Sequence, residues 1–412
     1  MTLCGVQSVE LGPVAAGDRR QTPFDLFLIF AGANIVATTL QVGASLAGEF
    51  STSAAIAIIV AGAVFGAALV AVLAPIGTAL GVPSIVASRA ALGFAGADLL
   101  ALLLFVTNFA WIALNNVIAA SICARLFGDE SSMPLWAVAA GLLATVIVAG
   151  GPRAVGLADR VAVPALAISG IVMTIACLRV SLPQASAPLP APGVASWFRG
   201  FDITAGYQVT WLLMFADYTR YTAKGRPAAV AVFLGLALTA AWFMPLGLIA
   251  ASAAGSSDPG AMIFAVGLGW WGAVLVMLAT LTTNFVNIYM SALALKSLRP
   301  RTSDRTGIWL IGGIGAALSV LSSAWLTRFT DFTILLAGLL VPIGGILLAH
   351  YVILRRRVIV EDLYRRTGGF SVAGALAWAA GAAVFYIAAP IGGTLPSLAT
   401  AIGLYVIAAR KP

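Results

Sequence analysis

The chain has 412 residues, of which 61% are hydrophobic and only 9% charged, with a mean hydropathy of +1.03. A soluble domain carries about 25% charged residues, so a soluble protein is excluded, and the long unbroken apolar runs exclude a transmembrane barrel, whose strands alternate. The net charge of +8, from 23 Lys+Arg against 15 Asp+Glu, therefore has to be read by position along a membrane.

At about 20 residues per span with short loops, this length fits ten to twelve helices and leaves little for an extramembrane domain. Residues 1–22 are polar, contain Gly and Pro, and are expected to form a tail without a removable signal peptide. Apolar segments follow near 24–47, 54–80, 97–127, 134–150, 160–180, 201–216, 228–252, 264–294, 307–326, 332–354, 371–388 and 393–409. The predicted fold is an all-α polytopic membrane protein with twelve transmembrane helices. Twelve spans put both termini on one side, which then carries 19 of the 23 Lys+Arg. The positive-inside rule makes that side the cytoplasm of a multi-pass plasma (bacterial inner) membrane protein. It also accounts for the basic excess, so nucleic acid is not an expected partner.

The first span, FAGANIVATTLQVGASLAG, gathers Gly32, Asn34, Thr38, Thr39, Gln41 and Gly43. The sixth, GFDITAGYQVTWLLMFADYTRYT, contains Gly206, Tyr207, Gln208, Thr210 and Asp217. Two Gly-broken helices in corresponding positions point to an inverted-repeat transporter with a midplane site, whose free carbonyls suit a cation and whose free amides suit a substrate. The alternative is two kinked helices packed through small residues. In the third span Asn108, Trp111 and Asn115 share one face and Asn116 points elsewhere. A Trp between two amides can stack on a flat ring and read its edge; the alternative is interhelical packing. The eighth span, LATLTTNFVNIYMSALAL, puts Thr280, Thr283, Asn284, Asn287 and Ser291 on one face. Their oxygens are hard ligands for a small hard cation, or else form a polar packing face. Asp217 is read as an ion pair with Arg220 at i, i+3, or as a proton carrier or gate. His350 is read as a hydrogen-bonded boundary residue or a pH-sensitive group.

Cys4, Cys123 and Cys177 lie far apart, and His350 is the only histidine, so neither a disulfide framework nor a metal motif appears. No phosphate loop or nucleophile elbow is visible, which disfavours ATP as the energy source and an enzyme as the function. No repeated pore ring or filter motif suggests a channel.

The segments TPFDLFLIFAGANI, SRAALGF, NFAWIALNN, ADYTRYT, LATLTTN, PIGGILLAHYVILRRR and EDLYRRTGG, in that order, resemble the nucleobase:cation-symporter-1 family. The resemblance implies two inverted five-helix repeats, as in the leucine-transporter fold, over 23–180 and 200–355, with discontinuous helices 1 and 6 and two further helices over 371–412. It implies that Trp111 stacks the substrate, that Asn115 holds it one turn later, and that Tyr207 and Gln208 stand where the family places the other substrate face. Asn284 matches the substrate-facing run and Asn287 lies one position from where some members put theirs; Asn34 and Asn108 complete the candidate set. A sodium site is implied at the carbonyls of Gly32, Ile35 and Ala279 and the hydroxyls of Thr282 and Thr283. The family's usual Asp before Tyr is His350 here. The expected function is import of a planar nitrogen heterocycle, such as cytosine or another nucleobase, by sodium-coupled alternating access, with Na+ as coupling ion and no other cofactor. The alternatives are a proton-coupled carrier of a vitamin precursor, an allantoin- or hydantoin-like compound or an amino acid, and a ligand-binding membrane sensor with a transporter fold.

Overall fold

A computed structural model describes residues 11–180, 193–299, 301–365 and 368–409. Among the described residues the secondary structure is helical, apart from two isolated bridges, Gln21 with Thr222 and Gly93 with Phe370. In chain order the helices are α1 (Pro23–Asn34), α2 (Ala37–Ala44), α3 (Thr52–Leu80), α4 (Ser84–Phe127), α5 (Met133–Ala149), α6 (Pro152–Arg179), α7 (Val194–Val209), α8 (Gly225–Ala254), α9 (Pro259–Ala265), α10 (Gly269–Leu298), α11 (Asp304–Leu318), α12 (Ser322–Thr327), α13 (Phe329–Leu348), α14 (Val372–Ile387) and α15 (Thr394–Ala409). Among the described residues, six helices are long and apolar enough to cross a bilayer: Thr52–Leu80, Ser84–Phe127, Glu130–Ala149, Gly225–Ala254, Gly269–Lys296 and Phe329–Ile353. The pair α1 and α2, bent by 57°, makes a seventh. The remaining expected spans fall on α6, on α7 with the turn that follows it, on α11 with α12, and on the shorter α14 and α15.

The first break follows from its local chemistry. α1 starts at a capping box, in which Thr22 Oγ1 accepts the Asp25 N–H (3.1 Å) and Asp25 Oδ2 accepts the Thr22 N–H (2.9 Å), with Pro23 in the first turn. The helix ends when Ile35 N–H donates to Ala31 O (3.0 Å) and Val36 turns extended (φ −140°, ψ 162°). The break is thus at Ile35–Val36, a β-branched pair, and not at Gly32, which lies inside α1. Likewise α7 runs through Gly206 to Val209 before the chain tightens into a 3-10 turn over Thr210–Met214 and a second over Thr219–Tyr221. Gly206 serves packing instead: a Cβ there would lie 2.7 Å from Ala337 Cβ of α13.

The third expected span, α4, begins at Ser84 instead of near residue 97, and Gly93 (φ 77°, ψ 174°) divides it into a short N-terminal stretch and a long helix. That positive φ is accessible to glycine without a Cβ penalty. Asp217 and Arg220 interact through their charges but make no contact ion pair, and the hydrogen bonds of Asp217 are long-range. Asp217 Oδ2 accepts the Ser84 N–H (3.2 Å) and the Ser84 hydroxyl, so a buried carboxylate caps the N-terminus of α4. Arg220 turns to Tyr221, whose hydroxyl accepts from Nη2 (2.8 Å) and whose ring lies 4.8 Å from the guanidinium carbon. The other oxygen, Asp217 Oδ1, is buried without a hydrogen-bond partner.

Helices α1, α2, α3, α7 and α8 pack as one group, and α4, α5, α10 and α11 as another. The α2–α8 crossing is very close: a Cβ on Gly247 would lie 1.9 Å from Leu40 O, and one on Gly43 would lie 1.7 Å from Met244 O. Helices α13 and α15 contact α7, and α14 packs on α13 and α15. The polar tail is docked: Val14 N–H donates to Gly81 O (2.8 Å), Gln21 N–H to Tyr221 O (2.9 Å) and Tyr364 OH to Leu11 O (2.6 Å).

Candidate functional site

Trp111 lies on α4 where α7 and α13 approach. Tyr207 meets it edge-on with ring centroids 5.8 Å apart, and Phe332 does so at 5.0 Å. The indole is 9% exposed. One turn later Asn115 Nδ2 donates to Trp111 O (2.9 Å), which fixes the amide and leaves Oδ1 buried without a partner. One turn earlier Asn108 Nδ2 is also buried without a partner. Unpaired buried amide atoms on both sides of an indole are costly unless something pairs with them, so this face of α4 has the donor and the acceptor that a planar polar ring needs.

The hydroxyl of Tyr207 reaches Thr38 Oγ1 and Thr39 Oγ1, both at 2.9 Å, at the start of α2. Thr39 Oγ1 donates to Asn34 O (2.7 Å), the last carbonyl of α1. Asn34 Nδ2 donates to Leu236 O (3.1 Å) and Thr239 Oγ1 (3.0 Å) on α8, and its Oδ1 accepts from Gln208 Nε2 (3.5 Å). Asn34 therefore holds α1 to α8 and α7 and does not face Trp111. Gln208 turns toward α3 as well, since a Cβ on Gly66 would meet its Cβ at 2.6 Å; its Oε1 is buried and unpaired.

On α10 the polar face divides. Asn284 Nδ2 donates to Asn116 Oδ1 (2.7 Å) and Ile112 O (3.3 Å), Asn116 Nδ2 donates to Ser319 Oγ (2.9 Å), and Asn287 Nδ2 reaches Asn284 Oδ1 (3.5 Å). Asn284 and Asn287 thus belong to a chain of amides joining α4, α10 and α11. Thr280 Oγ1 and Ser291 Oγ donate back to Val276 O (2.7 Å) and Asn287 O (2.8 Å) of their own helix. Thr282 and Thr283 are half-buried, on a helix that packs against α2. The backbone at Gly32 and Ile35 lies at the open end of α1, where the extended Val36 closes no turn onto the Gly32 carbonyl. Such carbonyls suit a small hard cation. Among the described residues, no group of three or more His, Cys, Asp or Glu side chains comes together to hold a metal.

Sequence reasoning missed Phe332. It stands between Asp331 and Thr333 at the start of an apolar segment, and only tertiary contact places its ring against Trp111. His350, in a π-helical turn over Ala349–Ile353, is a hydrogen-bonded boundary residue: its Nδ1 lies 2.7 Å from Tyr405 OH.

A family model described as "Permease for cytosine/purines, uracil, thiamine, allantoin" matches residues 13–407. The cytosine permease of Escherichia coli strain K12 is 25% identical over 285 residues, which cover 68% of this chain and 66% of that one, just under two thirds of its length. The inward-facing conformation of Mhp1 superposes with a TM-score of 0.82 at 23% identity, covering 97% of this chain and 92% of that one. Mhp1 described as a nucleobase-cation-symport-1 family transporter, closed with bromovinylhydantoin bound, gives 0.79 at 22% identity, covering 98% and 96%. The fold is that of Mhp1, in a multi-pass membrane protein, and these relatives are transporters and not enzymes.

Proposed function

The chain belongs to the family of permeases for cytosine/purines, uracil, thiamine and allantoin, and on that premise we propose that it is a secondary active symporter importing a planar nitrogen heterocycle, most simply cytosine. The observation that carries this reading is the box around Trp111: two aromatic edges, from Tyr207 and Phe332, and two buried unpaired amide atoms, Asn108 Nδ2 and Asn115 Oδ1, on the same helix face. A flat ring stacks on the indole, donates to Asn115 and accepts from Asn108. The family's members are named for such rings, and the bound compound of the Mhp1 structure is a hydantoin.

Sodium is the coupling ion in this proposal. The carbonyls of Gly32, Ile35 and Ala279 and the hydroxyls of Thr282 and Thr283 are hard oxygen ligands, and the C-terminal end of a half-helix carries partial negative charge. The protein works by alternating access, with twelve spans, two inverted five-helix repeats and both termini in the cytoplasm of a plasma or bacterial inner membrane. The charge distribution supports that orientation.

The test is counterflow in proteoliposomes loaded with unlabelled cytosine, with and without sodium. A symporter accumulates external labelled cytosine transiently, and more so with sodium. Binding without exchange of label identifies a sensor and refutes transport. Exchange indifferent to sodium removes the ion assignment.

A further inference from the structure

The Tyr207 hydroxyl occupies a position that ring stacking does not explain. Thr39 Oγ1 donates its single proton to Asn34 O (2.7 Å), so at its 2.9 Å contact with Tyr207 it can only accept. Tyr207 must therefore donate to Thr39, which leaves its oxygen to accept from Thr38 Oγ1, also at 2.9 Å. The protons then run in one direction, from Thr38 through Tyr207 and Thr39 to the last carbonyl of α1. All four residues are buried, so each link lies where a missing hydrogen bond is expensive.

The chain spans the two parts of the site. At one end the Tyr207 ring lies against Trp111. At the other, the Asn34 carbonyl belongs to the broken end of α1, next to the Gly32 and Ile35 backbone. Asn34 is also tied to α8 by its Nδ2 and to α7 by its Oδ1. A ring entering beside Trp111 moves or fixes Tyr207, and the hydroxyl chain carries that constraint to the carbonyl end of α1. An ion that fixes the carbonyl end constrains the ring in turn, because coupling between two sites is reciprocal.

We propose that Tyr207 is a positioning residue whose hydroxyl, through Thr38 and Thr39, couples heterocycle binding at Trp111 to cation binding at the α1 break. This rests on the symport reading above. The side chain's contribution to coupling is separable from its contribution to the aromatic wall, because the phenyl ring and the hydroxyl face different partners.

The test measures the cytosine dissociation constant of the purified full-length protein in nanodiscs, in sodium chloride and in choline chloride, for wild type, Tyr207→Phe and Thr39→Val. Coupled sites typically shift one another's affinity by about 5- to 150-fold. Wild type is expected to bind cytosine at least about tenfold more tightly in sodium. Thr39→Val is expected to retain cytosine binding in choline while its sodium shift falls below about threefold, and Tyr207→Phe is expected to lose the sodium shift to the same extent. Thr39→Val leaves every aromatic ring intact, so it carries the test alone if Tyr207→Phe loses binding altogether. A wild-type-sized sodium shift in Thr39→Val overturns the coupling role while leaving the symport reading intact. Absence of any sodium shift in wild type overturns both.

Discussion

Replacing Trp111 with Ala removes the centre of the aromatic box and has two separable consequences. For stability, the variant loses two edge-on ring contacts, with Tyr207 at 5.8 Å and Phe332 at 5.0 Å, each worth about 0.5–1.5 kcal/mol beyond area burial. The two contacts therefore supply about 1–3 kcal/mol, and a buried aromatic truncated to Ala costs about 3–5 kcal/mol in all once the cavity is included. For binding, loss of a stacking platform is worth about 1–3 kcal/mol per ring, or roughly 5- to 150-fold in affinity. Trp111→Phe keeps a smaller platform and most of the packing, so both losses should be smaller. The assay is a thermal melt of the purified protein combined with equilibrium binding of labelled cytosine at a temperature well below the lowest midpoint. Trp111→Ala should melt lower and bind at least about fivefold more weakly, with Trp111→Phe between it and wild type. Cytosine affinity within twofold of wild type in Trp111→Ala, with the fold retained, would refute the placement of the ring on the indole.

Three further outcomes follow from particular contacts. Thr283→Ala should weaken the sodium dependence of cytosine uptake more than it weakens cytosine binding at saturating sodium; an equal loss of both contradicts the ion assignment. Gly247→Ala places a methyl 1.9 Å from Leu40 O, a backbone atom that cannot step aside, and should destabilise by about 1–3 kcal/mol or more; an unchanged melting midpoint contradicts the close α2–α8 crossing. Asp217→Ala leaves the Ser84 N–H and hydroxyl without their acceptor and should destabilise by about 1.5–3 kcal/mol, whereas an Asp217–Arg220 pair would predict an equal effect from Arg220→Ala and none from Ser84→Ala.

The distribution of polar residues made the architecture legible, because hydrogen-bonding groups inside apolar runs are restricted to cavities and helix contacts. It located the broken first helix but misplaced the break itself. Gly32 permits a kink, yet the chain breaks at Ile35–Val36, where Thr39 Oγ1 takes the Asn34 carbonyl. Periodicity on α4 correctly separated Asn116 from the face bearing Asn108, Trp111 and Asn115. The same periodicity could not reveal that Asn284 meets Asn116, since that pairing depends on how α10 crosses α4. Gln208 and Asn34 illustrate a similar limit: their spacing marks them as unusual, while only tertiary structure directs one toward Gly66 and the other toward α8. Phe332 was illegible because an apolar ring in an apolar span carries no local signal. The contact of Asp217 with Ser84 was illegible because the two lie 133 residues apart in sequence.

Symport requires that a ring compound and a cation cross together. The decisive assay is the simultaneous flux of radiosodium and labelled cytosine into proteoliposomes. Each should accelerate the entry of the other, and the two should enter in a fixed whole-number ratio, with both fluxes reduced in Trp111→Ala. Cytosine entry that leaves the sodium flux unchanged would rule out coupled transport.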